Sequence, residues 1–442
     1  MKVLFVYPRF DRHAESHPEL RRWVPMNEYL GSPSLGIASL AAVTPAHWEI
    51  EMRDDRLAPA DAPTDADLVA LSFFTPAATR ALELADRFRA MGKRVVAGGI
   101  FPTMMPAAVA PHVDAVVIGE GEPVWHEVLA DAERAAAGTG ALRPVYGPVF
   151  ADLATLPPPR VDLYIDGERP GVFEPDDYPL QVSRGCPLAC VACALPKTMG
   201  KKMRAFPLAH VKAQAMALAA RGKRACLTED TGWLPGTAGW RRMGELFDAL
   251  ADGSAGLPAG QRAAISYVGI SMPMILASPT SFLERAKAAG VDMFYLVGGF
   301  DPITTRAFTG KDPDALAKAY VAVRRALDHG IEPYTSFLLG NEDDDAGTVD
   351  RMLDFADRSG IRKAEFAIFT PYPGTPSWHR LVGEDRILTR EWRLYNDANV
   401  VFRPARMSPD ELLAGYLRLW REFYVDRGHL AALPIAERTI QF

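Results

Sequence analysis

Cys186, Cys190 and Cys193 lie within eight positions, spaced C-x3-C-x2-C, in the stretch Gln181-Val182-Ser183-Arg184-Gly185-Cys186-Pro187-Leu188-Ala189-Cys190-Val191-Ala192-Cys193. The chain has one other cysteine, Cys226. Thiolates this close on one loop can converge on a soft metal centre. Three sulfur ligands rather than four suit a centre that keeps one position open for chemistry. The same residues could build a zinc site, with a histidine or Cys226 as fourth ligand. A disulfide fits a cysteine-poor chain less well.

The elements around the cysteines decide where they sit. Tyr178 to Val182 is short and apolar and reads as a strand, broken by Arg184-Gly185. The cysteines therefore occupy a loop at a strand's C-terminal end. Further strands are predicted at Arg224–Thr228, Ala263–Val268, Phe294–Val297, Tyr334–Leu339 and Phe366–Phe369. Helical patterns separate them. One runs from Phe206 to Ala220. Another has Asp312 as N-cap, Pro313 at its first position, and Leu316, Tyr320, Val323 and Leu327 along one face. A third turns Val349, Met352, Leu353 and Ala356 inward. Six such βα units make an open barrel whose chemistry gathers at the C-terminal mouth. Glu229-Asp230, Gly298-Gly299 and the run Thr370-Pro371-Tyr372-Pro373-Gly374-Thr375-Pro376 fall at that mouth. Cys226, inside a strand, reads as a buried structural thiol. The basic run Lys197, Lys201, Lys202 and Arg204 could neutralise an anionic ligand but is equally a solvated loop.

The first 150 residues alternate in the same way. Strands are predicted at Val3–Tyr7, Trp48–Met52, Asp67–Phe74, Val95–Ala97 and Ala115–Ile118. Between them come helices at Ser34–Ala42 and one with Leu84, Phe88 and Met91 on a single face. This is the pattern of a doubly wound parallel sheet, which binds ligands beyond the carboxyl ends of its strands. Ser72, Thr75, Gly98, Gly99, Thr103 and the turn Gly119-Glu120-Gly121-Glu122 lie at those ends. The glycines would let a large planar ligand approach the backbone.

On the cysteine spacing and the strand–helix order that follows it, the chain resembles the radical S-adenosylmethionine (SAM) enzymes. Gly98-Gly99-Ile100-Phe101-Pro102-Thr103, Gly119-Glu120-Gly121-Glu122 and Pro371–Thr375 resemble the branch that also carries a cobalamin-binding domain. The resemblance implies a [4Fe-4S] cluster on Cys186, Cys190 and Cys193, with SAM chelating the fourth iron. It implies SAM contacts at Ala192, Glu229, Ser266, Ser336, Pro371, Tyr372, Gly374 and Thr375, and a corrin between the domains near Thr75, Gly98, Gly99 and Gly119. Cobalt would have no protein histidine ligand, because the Asp-x-His-x-x-Gly motif of other cobalamin proteins is absent. The implied activity is cobalamin-dependent C-methylation of an unactivated carbon through a 5′-deoxyadenosyl radical. An electron donor such as flavodoxin or ferredoxin would supply the reducing equivalent. Radical oxidation, cyclisation or ring rearrangement of a natural product is the alternative chemistry in the branch. A non-enzymatic iron–sulfur or zinc protein is the third reading. Two positions depart from the family pattern. Ala192 stands where relatives carry a larger apolar residue beside adenine. Leu296-Val297-Gly298-Gly299 lacks the glutamate that often ends the fourth strand.

Composition bounds the rest. A net charge of −6 gives no basic footprint for nucleic acid. The apolar start Met1–Pro8 is too short for a signal peptide, and no uninterrupted apolar run reaches the roughly 18 residues of a membrane span. A cytoplasmic enzyme acting on a small molecule is the expectation, with the clustered thiols fitting a reducing compartment. The expected organisation is a cobalamin-binding-like domain at 1–150, a proline-stiffened linker at 151–178, the radical SAM barrel at 179–380 and a helical extension at 381–442. In that extension Ser408 caps a helix, with Glu411 three residues on. Leu412, Tyr416, Leu419, Trp420 and Phe423 form its apolar stripe. The stripe reads as core packing. The alternative is a cover over the barrel mouth, with Trp392 and Tyr395 touching substrate.

Overall fold

The computed structural model describes residues 1–24, 33–169, 175–188, 190–228, 237–296, 298, 301 and 303–433. Its framework is two six-stranded sheets with every pairing parallel. The first holds β1 (Lys2–Tyr7), β2 (Glu49–Asp54), β3 (Leu68–Ser72), β4 (Arg94–Gly98), β5 (Ala115–Gly119) and β6 (Val145–Val149), in the order β2-β1-β3-β4-β5-β6. Val3, Leu4, Phe5 and Val6 are all buried, so both faces of β1 are covered. That explains its unbroken apolar run. The strand order reverses direction between β1 and β3, which opens a crevice at their C-terminal ends.

The second sheet holds β7 (Asp177–Gln181), then, after a two-residue antiparallel pair β8 (Ser183–Arg184) and β9 (Arg204–Ala205), the strands β10 (Arg224–Thr228), β11 (Ile265–Ile270), β12 (Met293–Leu296), β13 (Glu332–Leu339) and β14 (Lys363–Ile368). Its order, β14-β13-β12-β11-β10-β7, follows the chain step by step. Helices at Leu208–Ala220, Thr237–Ser254, Thr280–Ala288, Pro313–Asp328 and Thr348–Ser359 make the crossings. The result is an open six-stranded parallel barrel wall. The fold class is therefore α/β, with a doubly wound sheet followed by a partial barrel and a helical C-terminal region. Among the described residues no helix is long and apolar enough to cross a membrane.

Several expectations need correction. β6 lies where no strand was predicted, at the end of the first domain. Its sequence Val-Tyr-Gly-Pro-Val carries no alternation, because only Tyr146 is buried and the edge strand is otherwise exposed. Tyr146 is anchored by donating to Asp131 at 2.6 Å. In the helix Ala78–Ala90, Leu84 and Phe88 are fully buried, but Met91 lies past the last turn and is 38% exposed. In Pro313–Asp328 the buried stripe is Ala315, Ala319, Ala322, Val323 and Ala326. Leu316, Tyr320 and Leu327 flank it half-buried, since alanines let this helix lie close to its neighbours. Asp312 caps that helix as expected, accepting from the Ala315 amide at 2.9 Å. Phe369 falls outside β14, which begins three residues before Phe366. Val297 lies outside the described residues.

The C-terminal helix Pro409–Arg421 has the Ser408–Glu411 capping box. Its stripe packs on the barrel's outer side, with Trp420 and Phe423 edge-on to Phe366 at 5.2 and 5.5 Å. Tyr395 is fully buried and donates to the Thr389 carbonyl at 2.6 Å, and Trp392 packs on Phe101 at 5.5 Å.

Candidate active site

The cysteine loop springs from the end of β7 through the β8–β9 pair. Gly185, with φ +93°, makes the turn, and a Cβ there would lie 2.3 Å from the Lys202 carbonyl oxygen. Only glycine fits. The Cys186 amide then donates to Gly200 at 3.0 Å, so the first cysteine is fixed to the hairpin. Cys186 is buried, Cys190 and Cys193 are half-buried, and none of the three is in a disulfide. The Cys193 amide donates to the Cys190 carbonyl at 3.2 Å, and the Leu195 amide donates to the Cys193 sulfur at 3.4 Å. Ala192 is buried between them. Among the described residues no three His, Cys, Asp or Glu side chains already stand together as a metal-binding group. The donors nevertheless fit an iron–sulfur centre in kind: three sulfurs on one short loop, one of them accepting a backbone N–H that favours the thiolate.

The segment after β14 closes on this loop. The Ser377 amide donates to the Val191 carbonyl at 2.9 Å. Thr375 is buried and caps the helix Pro376–Gly383, accepting from the Trp378 amide at 3.3 Å and donating to the Tyr372 carbonyl at 2.6 Å. Tyr372 donates to Asp397 at 2.8 Å. Burial and then that carboxylate hold its phenol well above the ordinary range. Pro371 is buried beside it. Gly374, at φ +80°, abuts Met104 of the first sheet's Ile100–Met104 helix, whose carbonyl oxygen would be 3.1 Å from an added Cβ. The motif thus touches both the cysteine loop and the first sheet's ligand edge.

Along the barrel wall, Ser336 is nearly buried and pairs in register with Glu365. Tyr295 reaches both, at 3.3 Å from Glu365 and hydrogen-bonded to Ser336. A Cβ on Gly298 would lie 1.9 Å from the Ser336 carbonyl oxygen, so the backbone after β12 presses directly on β13. Where relatives often carry a glutamate, this chain has a close backbone approach. Ser266 donates to the Ala225 carbonyl at 3.3 Å and bonds the Asp177 carboxylate, so it is engaged within the wall. Cys226 is fully buried. Glu229 and Gly299 lie outside the described residues.

The first sheet's crevice holds an open pocket of about 140 Å³. Phe5, Gly36, Ser72, Gly98, Gly119 and Trp125 line it from the first sheet, and Gln181, Arg184 and Met199 from the second. At Gly98 an added Cβ would make only ordinary contact, 3.5 Å from Val117, so its hydrogen leaves room on the pocket side. Gly119, at φ +78°, is tied to Thr103, whose hydroxyl accepts its amide at 2.9 Å. Gly99 lines the pocket too, and packing also demands a glycine there: at φ +101° a Cβ would lie 2.7 Å from the Phe73 carbonyl oxygen. Thr75 is buried in the turn Thr75–Ala77 and is not among the pocket residues. The crevice is glycine-edged and mainly apolar, the kind of lining that suits the face of a flat tetrapyrrole. Lys197, Lys201 and Lys202 point to solvent, whereas Arg204 is drawn inward onto Glu120.

Sequence reasoning missed the joints between these parts. Arg184 reads only as a strand breaker, yet it bonds Glu122 at 2.8 Å and Gln181 at 2.9 Å. Asp397 adopts φ +63° and reaches Tyr372, and no local pattern marks it. The paired glutamates of the Gly119–Glu122 turn were the available signal, since buried carboxylates demand cationic partners.

Comparison with known proteins agrees with this layout. Residues 30–129 match the family model described as the B12 binding domain. The chain is 25% identical over 404 residues to bacteriochlorophyllide d C-12(1)-methyltransferase of Chlorobaculum tepidum, an alignment covering 89% of this chain and 83% of that protein. The fold is similar to that of the radical S-adenosylmethionine methyltransferase TsrM from Kitasatospora setae, solved with tryptophan and a SAM analogue bound. There the TM-score is 0.62 at 17% identity, covering 87% of this chain and 76% of that one. It is also similar to OxsB, a cobalamin-dependent S-adenosylmethionine radical enzyme solved with aqua-cobalamin and SAM bound. There the TM-score is 0.67 at 12% identity, covering 98% and 69%.

Proposed function

We propose that this chain is a cobalamin-dependent radical SAM enzyme that methylates an unactivated carbon of a small molecule. One observation carries the reading: Gln181, Arg184 and Met199, which flank the cysteine loop, line the glycine-edged crevice. Arg184 stands at the foot of the loop and Glu120 and Glu122 at the rim of the crevice.

In this reading Cys186, Cys190 and Cys193 hold the [4Fe-4S] cluster, and the Leu195 amide favours the Cys193 thiolate. Ala192, Ser336 and Pro371 to Thr375 shape the SAM site, with Ser266 on β11, and the expected contact at Glu229 lies outside the described residues. Gly98, Gly99 and Gly119 edge the corrin site, and Thr75 is buried in the turn Thr75–Ala77. When bound, these cofactors supply a 5′-deoxyadenosyl radical that removes a hydrogen atom and the methyl group that replaces it. The chain's own residues position the cofactors and exclude water. Val191 is clamped to Ser377, and Gly374 seats against Met104. In this reading the chain divides into a cobalamin-binding unit at 1–150, a linker at 151–178, a barrel at 179–380 and a C-terminal extension beyond; the gap between β6 and β7 supports the division. Reduction by a small electron-transfer protein such as flavodoxin or ferredoxin, in the cytoplasm, suits a cluster assembled on open thiols.

The test is anaerobic reconstitution of the whole chain with iron, sulfide and hydroxocobalamin, followed by reduction in the presence of SAM. The expected result is bound iron and cobalt together with 5′-deoxyadenosine. Zinc in place of iron, or SAM left intact, would sink the reading.

A further inference from the structure

Four charged side chains are buried where the two sheets meet. The side chains of Glu120, Glu122 and Arg184 are 1%, 6% and 5% exposed, and that of Arg204 is 19% exposed. Arg184 bonds Glu122 at 2.8 Å and stands 3.5 Å from Glu120, with its guanidinium 5.7 Å from the centre of the Phe206 ring. Arg204 bonds Glu120 at 2.9 Å and the carbonyls of Ala151 and Met199, each at 2.8 Å. Glu120 also accepts the Ala151 amide at 2.7 Å. Signs balance and the carboxylates are multiply bonded, as buried charges require.

Such a network is a costly way to gain stability, because desolvation consumes most of the attraction. Its geometry is better explained by what it joins. Glu120 and Glu122 follow the end of β5 and line the crevice pocket, as does Arg184. Arg184 is also the last residue of β8, and the next two are the constrained Gly185 and Cys186. The path from pocket wall to first cysteine therefore runs through the ion pairs of Arg184 and then Gly185, whose turn leaves no room for a side chain. We propose that Arg184 is a positioning residue that couples filling of the crevice to the setting of the cysteine loop, through Glu122 and Glu120. The inference rests on the proposed cofactors. It adds that the corrin site and the cluster site are energetically linked, which implies that each ligand changes the hold on the other by the same factor.

The experiment measures chelator-driven iron release from the reconstituted whole chain, with and without hydroxocobalamin. The electron paramagnetic resonance spectrum of the reduced cluster is recorded alongside. In the natural chain cobalamin is expected to slow iron release about fivefold or more and to shift the spectrum. In Arg184→Gln, and in Glu122→Gln as a second variant that keeps the arginine, the ratio should fall towards one and the spectrum should stop responding. Glu122→Asp, which keeps the charge, should restore part of the response. If either glutamine variant binds both cofactors and keeps the natural ratio, the coupling role is wrong while the cofactor assignment stands. If the natural chain takes up no iron or no cobalamin, the functional reading fails and this inference fails with it.

Discussion

The amide of Ser377 donates to the carbonyl of Val191 at 2.9 Å, which ties the first turn of a helix beyond the last barrel strand to the middle of the cysteine loop. Thr375 caps that helix. Replacing Thr375 by Val keeps its shape and removes the hydrogen bonds of its hydroxyl with Tyr372, Trp378 and Ser377. A loss of about 1 kcal/mol in denaturant-monitored stability is expected, with faster iron release from the reconstituted protein.

Each of Cys186→Ala, Cys190→Ala and Cys193→Ala should abolish a complete cluster, whereas Cys226→Ala should keep it. Iron and sulfide analysis after reconstitution separates the two outcomes. Equal iron in all four variants would remove the loop from the site. Cys226 is buried in β10, and its loss costs packing, on the order of 1 kcal/mol.

Gly98→Leu sends a side chain into the crevice without straining the backbone, since an added Cβ there makes only ordinary contact. The variant is expected to fold and bind iron but to lose the visible absorbance of bound cobalamin. Cobalamin bound as tightly as by the natural chain would place the corrin elsewhere.

Gly298→Ala is expected to be far more damaging than its size suggests. Its Cβ would have to displace the Ser336 carbonyl from 1.9 Å, and strand backbone cannot yield as a side chain can. A destabilisation of at least about 2 kcal/mol should appear in the denaturant midpoint. Gly360→Ala, where nothing lies within 4 Å but φ is +73°, should cost only about 1 kcal/mol.

His13 joins the N-terminal segment to the C-terminal helix, with its Nδ1 2.9 Å from the Tyr416 hydroxyl. Burial pushes its imidazole down from 6.5 to about 4. Between those values the unfolded chain takes up a proton that the folded chain refuses. The neutral ring's contribution is therefore complete above pH 6.5 and is lost as pH falls towards 4, up to about 3 kcal/mol. His13→Phe should flatten stability against pH within that window. An unchanged slope would show that another group controls it.

Much of this architecture is legible in the residues themselves. Short apolar runs mark nearly every strand of both sheets, because a parallel strand buried on both faces must be apolar throughout. Asp312 and Ser408 announce their helices through side-chain oxygens that satisfy end amides, and the cysteine spacing marks the loop. β6 escaped because only Tyr146 turns inward, so no pattern of burial is written into it.

Local sequence could not say what each residue would face across the fold. Gly99 and Gly298 look alike as strand-end glycines beside a ligand edge. Tertiary packing makes both of them points where one backbone presses on another. Arg184 looks like a loop arginine until folding surrounds it with two buried glutamates from a turn more than sixty positions earlier. Strand and helix periodicity is imposed by neighbours a few residues away, so it survives in the one-dimensional text. Contacts between separate sheets depend on closure of the whole chain, and their partners become identifiable only once burial strips water from the charges and forces them to pair.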